Sequence, residues 1–148
     1  MATDLTKSSI FRGLTQAQVD AILALGSARK YRKGDRIFSE DSLGEELHIL
    51  TKGRVDVLMK LMSDEQRLAT HAPGDSFGEF AAMDCSRRSA SCLAATDVEV
   101  IAIPGKAFYE HLESAPETGY VVMRNLCLVL TERLKNANLQ WRNAIYWG

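Results

Sequence analysis

Residues 44–60 read "GEELHILTKGRVDVLMK". Leu47, Ile49 and Thr51 alternate with His48, Leu50 and Lys52; past Lys52-Gly53, Val55, Val57 and Met59 alternate with Arg54, Asp56, Leu58 and Lys60. Side chains that change face at every residue belong to strands, and a glycine between two such runs belongs to a turn. The stretch reads as two strands joined by a short connection.

The pattern continues outward on both sides. Residues 28–43, "ARKYRKGDRIFSEDSL", hold short β-favouring pieces split at Lys33-Gly34 and Leu43-Gly44. Residues 66–79, "QRLATHAPGDSFGE", add a strand and a Pro-Gly-Asp turn, and residues 89–105, "SASCLAATDVEVIAIPG", add two strands broken near Thr96-Asp97. Strands at this spacing predict a sandwich or barrel of about eight strands. Gly34, Gly44, Gly53 and Gly74 read as turn residues only.

Helices flank the strands. In residues 15–26, "TQAQVDAILALG", Thr15 and Gln18 fit a capping box, Val19, Ile22, Leu23 and Leu25 keep helical spacing, and Gly26 is a candidate stop. Residues 105–116 predict a short helix. Residues 117–147 predict one long helix, with Val122, Leu126, Leu130, Leu134, Ala137 and Trp141 as an apolar stripe. A length of 148 residues fits one domain. It divides into an N-terminal helical segment (1–27), a β-barrel (28–104) and C-terminal helices (105–148).

Composition excludes several classes. The formal net charge of -1 provides no field for nucleic acid or anionic membrane. No apolar run reaches the length of a membrane span, and the opening "MATDLTKSSIF" lacks the apolar core of a signal peptide, so a cytoplasmic protein is expected. Cys85, Cys92 and Cys127 have neither an even count nor metal-ligand spacing; reduced thiols are expected, with Cys92 and Cys127 as small core residues. His48, His71 and His111 include no His-x-His pair of the kind a cupin metal site uses, and they read as strand or surface residues.

Residues 76–91, "SFGEFAAMDCSRRSAS", carry the chemistry. Gly78 lets backbone approach a ligand closely. Phe80 to Met83 could form one helical turn whose first N–H groups face an anion. Arg88 offers a planar fork for phosphate oxygens, Ser89 a hydroxyl and an N–H, and Glu79 an acceptor for a sugar hydroxyl. An anion site beside a hydroxyl acceptor describes a ribose phosphate. Arg87 reads as solvated, or as a supporting charge.

This stretch resembles the phosphate-binding cassette of cyclic nucleotide-binding domains, the family of the catabolite activator protein and of the regulatory subunits of cAMP-dependent kinase. The cassette stands here as Phe77-Gly78-Glu79-Phe80-Ala81 and Arg88-Ser89-Ala90, within residues 77–92. The resemblance covers about residues 10–140. It implies a jelly-roll-like β-barrel with an N-terminal helix and a C-terminal lid helix. By similarity, Glu79 accepts the ribose 2′-OH near the Gly78 backbone, Arg88 pairs with the cyclic phosphate, and Ser89 and Ala90 supply N–H groups. Asn138 lies where bacterial relatives contact the base; base contact and a solvated polar face both stay open. Trp141, Tyr146 and Trp147 read as helix packing, with one of them capping the base as the lesser reading. The sequence departs from the family pattern at Arg87, often proline in eukaryotic members, at Phe80, bulkier than the usual leucine, and at Cys92, usually valine.

The function implied is a non-catalytic receptor for a cyclic mononucleotide, cAMP favoured and cGMP possible, without a cofactor. Its lid helix would respond to ligand and would contact a protein partner or a second copy. Two alternatives keep the fold: a ligand-independent interaction module, and a truncated DNA-binding regulator. Too little chain follows the long helix for a DNA-reading domain, so no DNA binding is expected.

Overall fold

Thr15 starts the first helix as its capping box requires. Its hydroxyl accepts from the Gln18 N–H (3.3 Å) and the Gln18 side-chain oxygen accepts from the Thr15 N–H (2.8 Å). The computed structural model describes residues 4–147. Residues 1–3 and 148, the outermost parts of the expected terminal segments, lie outside the described residues.

After a 3-10 turn at Leu5–Lys7 the elements run α1 (Gln16–Leu23), β1 (Ser27–Tyr31), β2 (Arg36–Phe38), β3 (Glu46–Lys52), β4 (Val55–Leu61), β5 (Asp64–His71) and β6 (Ser76–Phe77). They continue as α2 (Glu79–Asp84), β7 (Ser91–Ala94), β8 (Val98–Pro104), α3 (Gly105–Ser114) and α4 (Pro116–Trp147). The eight strands form two antiparallel four-stranded sheets, ordered β1-β8-β3-β6 and β2-β7-β4-β5.

The alternation expected in β3 does not appear as one wet and one dry face: residues 47–50 are all buried. The strand lies inside its sheet between β8 and β6, and both faces are covered. Leu47 and Ile49 join Ile103, Phe108, Val122 and Leu126 beneath the helices. Leu50 joins Val55, Phe77, Cys92 and Val100 between the sheets. Nearly all of β5 is exposed except His71, because it forms the outer edge of the second sheet.

Three sequence expectations need correction. Helix α1 ends before Gly26, which does not serve as a left-handed stop. A Cβ at Gly26 would come within 2.7 Å of the Ala102 carbonyl oxygen and of Ile101, so the glycine permits the chain to pass against β8. Cys92 is buried as expected, but Cys127 is exposed, on the side of α4 facing away from the core. The apolar stripe of α4 also changes role along its length. Val122 and Leu126 are buried and Leu130 half-buried, whereas Leu134, Ala137 and Trp141 are exposed. What anchors the first half also includes a polar tie the stripe did not reveal: buried Asn125 donates to the carbonyls of Ile10 (3.0 Å) and Arg12 (2.8 Å).

Candidate functional site

Pairing of β6 with β3 sets His48 opposite Phe77 and Ile49 opposite Ser76. Phe77 turns inward between the sheets, and the chain then bends at Gly78, whose φ of +78° is left-handed. A Cβ there would lie 2.7 Å from Arg88 Nη1 and 3.0 Å from the Glu46 carbonyl oxygen, so both backbone and space require glycine. The bend launches α2, and Glu79 is its first residue.

Glu79 is only 3 % exposed. Its Oε1 accepts from Arg133 Nη1 of α4, and Arg133 Nη2 donates to the Ser76 carbonyl (2.6 Å). Its Oε2 is buried without a partner. Half of the carboxylate is therefore committed and half remains available as an acceptor, a costly condition for a buried charge unless another donor arrives.

Arg88 is 4 % exposed. Its Nη1 donates to the carbonyls of Gly78 (2.9 Å) and Glu46 (3.1 Å), and the guanidinium lies 4.1 Å from the centre of the Phe38 ring. Burial lowers its pKa from the ordinary value, partly opposed by Cys92, Glu46 and Glu79. Nη1 is thus the anchored corner, and the buried Nε has no partner. The Nε–Nη2 edge keeps the two-donor geometry that matches phosphate oxygens. Gly44 clears that edge: a Cβ there would run into Nε, Cζ and Nη2. Gly44 is accordingly more than the turn residue expected from sequence. Arg87 is exposed, as expected, and donates to the Asp41 carbonyl (2.7 Å).

Residues 77–81 and 88–90, the cassette positions singled out from the sequence, line one cavity of about 80 Å³. Phe38, Val57, His71, Cys92 and Arg133 complete its wall. Burial pushes the Cys92 thiol up to about 12, so it stays protonated. A second cavity of about 360 Å³ lies against the first, and His71 and Arg133 line both. Asn138 is exposed on α4 and lines neither of these cavities. The sequence did not single out Arg133 or Phe38, and it marked His71 only as a strand or surface residue. For Arg133 a signal existed: it follows Leu126 and Leu130 at helical spacing, so it continues the packed face of α4, where a cation needs a buried partner.

His48 lies beneath the cassette, 2 % exposed, with its ring stacked 5.0 Å from Phe77. Burial and the neighbouring Arg88 push its pKa down to about 4. The unfolded chain binds this proton near pH 6.5 and the folded chain does not until about pH 4. The stability that the neutral ring contributes is therefore complete above pH 6.5 and is lost as pH falls toward 4. Melting curves should show a drop on the order of 3 kcal/mol across this window, and much less in His48→Phe. Parallel curves for the two proteins would contradict the assignment.

The model of the cyclic nucleotide-binding domain family matches residues 28–115. The chain is 32 % identical over 134 residues to the cyclic AMP receptor protein of Thermus thermophilus, covering 90 % of this chain and 60 % of that protein. It is 34 % identical over 134 residues to glutaminase 2 of Bradyrhizobium diazoefficiens, covering 90 % of this chain and 21 % of that enzyme. The crystal structure of the Thermus thermophilus catabolite activator protein superposes with a TM-score of 0.83 at 31 % identity, over 94 % of this chain and 64 % of that one. The chain thus spans less than two thirds of each.

Proposed function

Because the chain belongs to the cyclic nucleotide-binding domain family, we propose that it is a non-catalytic receptor for one 3′,5′-cyclic mononucleotide, with cAMP the favoured ligand. The observation that carries this reading is a pair of unmatched buried groups in one cavity. Glu79 Oε2 lacks a donor and Arg88 Nε lacks an acceptor. A cyclic nucleotide supplies both, as a ribose hydroxyl and an exocyclic phosphate oxygen on one rigid unit. Ser89 and Ala90 add N–H groups at the phosphate end, and Phe77, Phe80 and Ala81 shape the wall. No cofactor has a role in this reading, and a cytoplasmic setting suits it.

The cassette cavity is smaller than the several hundred Å³ usual for small-molecule sites. Lifting Arg133 would join it to the larger cavity beside it. Ligand entry would thereby bias the position of α4, a population shift driven by contacts made in only one state. Along the free face of α4, Leu134, Asn138, Trp141 and Ile145 are exposed at heptad spacing and form a seam for a second copy. Asn138 there occupies a position where one polar side chain sets register. The net charge argues against DNA as the partner.

Calorimetric titration with cAMP, cGMP, 2′-deoxy-cAMP and a cyclic dinucleotide tests the reading. The cyclic mononucleotides should bind, and loss of the 2′-OH should weaken cAMP binding roughly tenfold. Light scattering on the same samples reports whether two copies associate. Tight binding of the dinucleotide alone, or no heat from any mononucleotide, would refute the reading.

A further inference from the structure

An aromatic run forms the floor of the cassette cavity. Arg88 lies over Phe38, Phe38 meets Phe77 at 6.0 Å, and Phe77 stacks on His71 at 5.6 Å with rings 13° apart. His71 is thus separated from Arg88 by two phenyl rings. A cyclic nucleotide is rigid, with phosphate and base projecting from different sides of the ribose. Holding its phosphate at Arg88 and its ribose at Glu79 sends the base along this floor toward His71.

The polar side chains on the cavity wall are nearly all committed elsewhere. Glu79 and Arg133 hold each other, Arg88 and Ser89 stand at the phosphate end, and the Cys92 thiol is a poor partner. His71 remains. It is buried except for about a tenth of its side chain, and it reaches both cavities. Its Nδ1 edge faces a carboxylate. Asp75 Oδ2 stands 3.8 Å from Nδ1, and that carboxylate is itself positioned by the Ala72 N–H at 2.9 Å. Burial raises the pKa of Asp75, but His71, the Ala72 N–H and the Arg133 charge together hold it below its ordinary value. With the single proton of a neutral ring on Nδ1, toward that carboxylate, Nε2 is the acceptor that His71 would present.

We infer that His71 reads the base: its Nε2 lone pair takes a hydrogen from an exocyclic amino group, so a 6-aminopurine is accepted and a 6-oxopurine is disfavoured. The inference rests on the cyclic nucleotide reading above. Opposite an oxo group the lone pair would face another lone pair, and neither would have its solvent partner. This is a selectivity role, distinct from the packing of the ring on Phe77.

The test compares cAMP with 3′,5′-cyclic IMP, which differ only on that edge of the base. Wild type should favour cAMP by roughly ten- to a hundredfold. His71→Phe keeps a ring on Phe77 and should bring the ratio to within about threefold, chiefly by weakening cAMP. Asp75→Asn keeps an acceptor for the Ala72 N–H but removes the orienting charge, and its ratio should fall between the two. A wild-type ratio in His71→Phe would overturn the inference; so would a wild-type preference for cyclic IMP, or equal affinities, while leaving the receptor reading intact. No binding of either ligand would overturn both. If His71→Phe does not fold, Asp75→Asn decides, and an unchanged ratio there counts against His71.

Discussion

Arg88→Ala is expected to lower affinity for a cyclic mononucleotide by roughly ten- to several hundredfold and also to destabilise the fold. The binding loss has two parts. A charge-assisted pair with phosphate contributes about 1.5–3 kcal/mol, and each 1.4 kcal/mol is about tenfold in affinity. The phosphate would also enter a mostly buried cavity without its counter-charge. Stability follows from the anchored corner of the guanidinium. Arg88 is buried and satisfies the Gly78 and Glu46 carbonyls. Leaving these unpaired costs about 1–3 kcal/mol, so the melting temperature should fall as well. Arg88→Lys should recover only part of the affinity, because an ammonium cannot present the two-donor edge. Arg87→Ala should change affinity little, since Arg87 is exposed and faces the Asp41 carbonyl. The measurement is calorimetry beside melting curves for the three variants. Equal losses at Arg87 and Arg88, or full affinity in Arg88→Ala, would show the phosphate to be elsewhere.

Arg133→Met should produce the largest stability loss. Methionine keeps the apolar stem but strands the Glu79 carboxylate, which is nearly inaccessible to water. Removing one partner of a buried ion pair costs about 3–5 kcal/mol. The lower end is expected here, because Arg133 itself is about a third exposed and water screens part of its charge. Urea unfolding should show the midpoint reduced at unchanged slope. Adding Glu79→Gln should restore part of the loss, since an amide carries no stranded charge. A single variant within about 0.5 kcal/mol of wild type would mean that the pair does not hold α4 against the cassette.

The local signals in the sequence carried the fold well. The Thr15–Gln18 box, the turns at Gly34, Gly53 and Gly74 and the break at Thr96-Asp97 all act over a few residues, and each falls where it was expected. The cassette was legible for the same reason: residues 77–81 and 88–90 reach one cavity through a short helix and its return. Long-range features were not legible. The double-sided burial of β3 depends on which strands and helices come to cover it. Gly26 and Gly44 look like any turn glycine until β8 and Arg88 are packed against them. Arg133 is 54 positions from Glu79, and its pairing depends on the docking of α4. The change of α4 from packed to free after Arg133 leaves the stripe itself uninterrupted, so periodicity could not show it.

The last fully buried side chain of α4 is Leu126, Arg133 lies seven residues beyond it, and Trp147 lies twenty-one residues beyond it. At a rise of about 1.5 Å per residue, these are arms of about 10 Å and 31 Å about one fulcrum. A stiff rod pivoting at Leu126 multiplies displacement in the ratio of those arms. One ångström of travel where Arg133 meets Glu79 becomes about 3 Å at the indole of Trp147. A shift comparable to the slack in a single hydrogen bond would thereby become one large enough to break or make an apolar contact at the far tip.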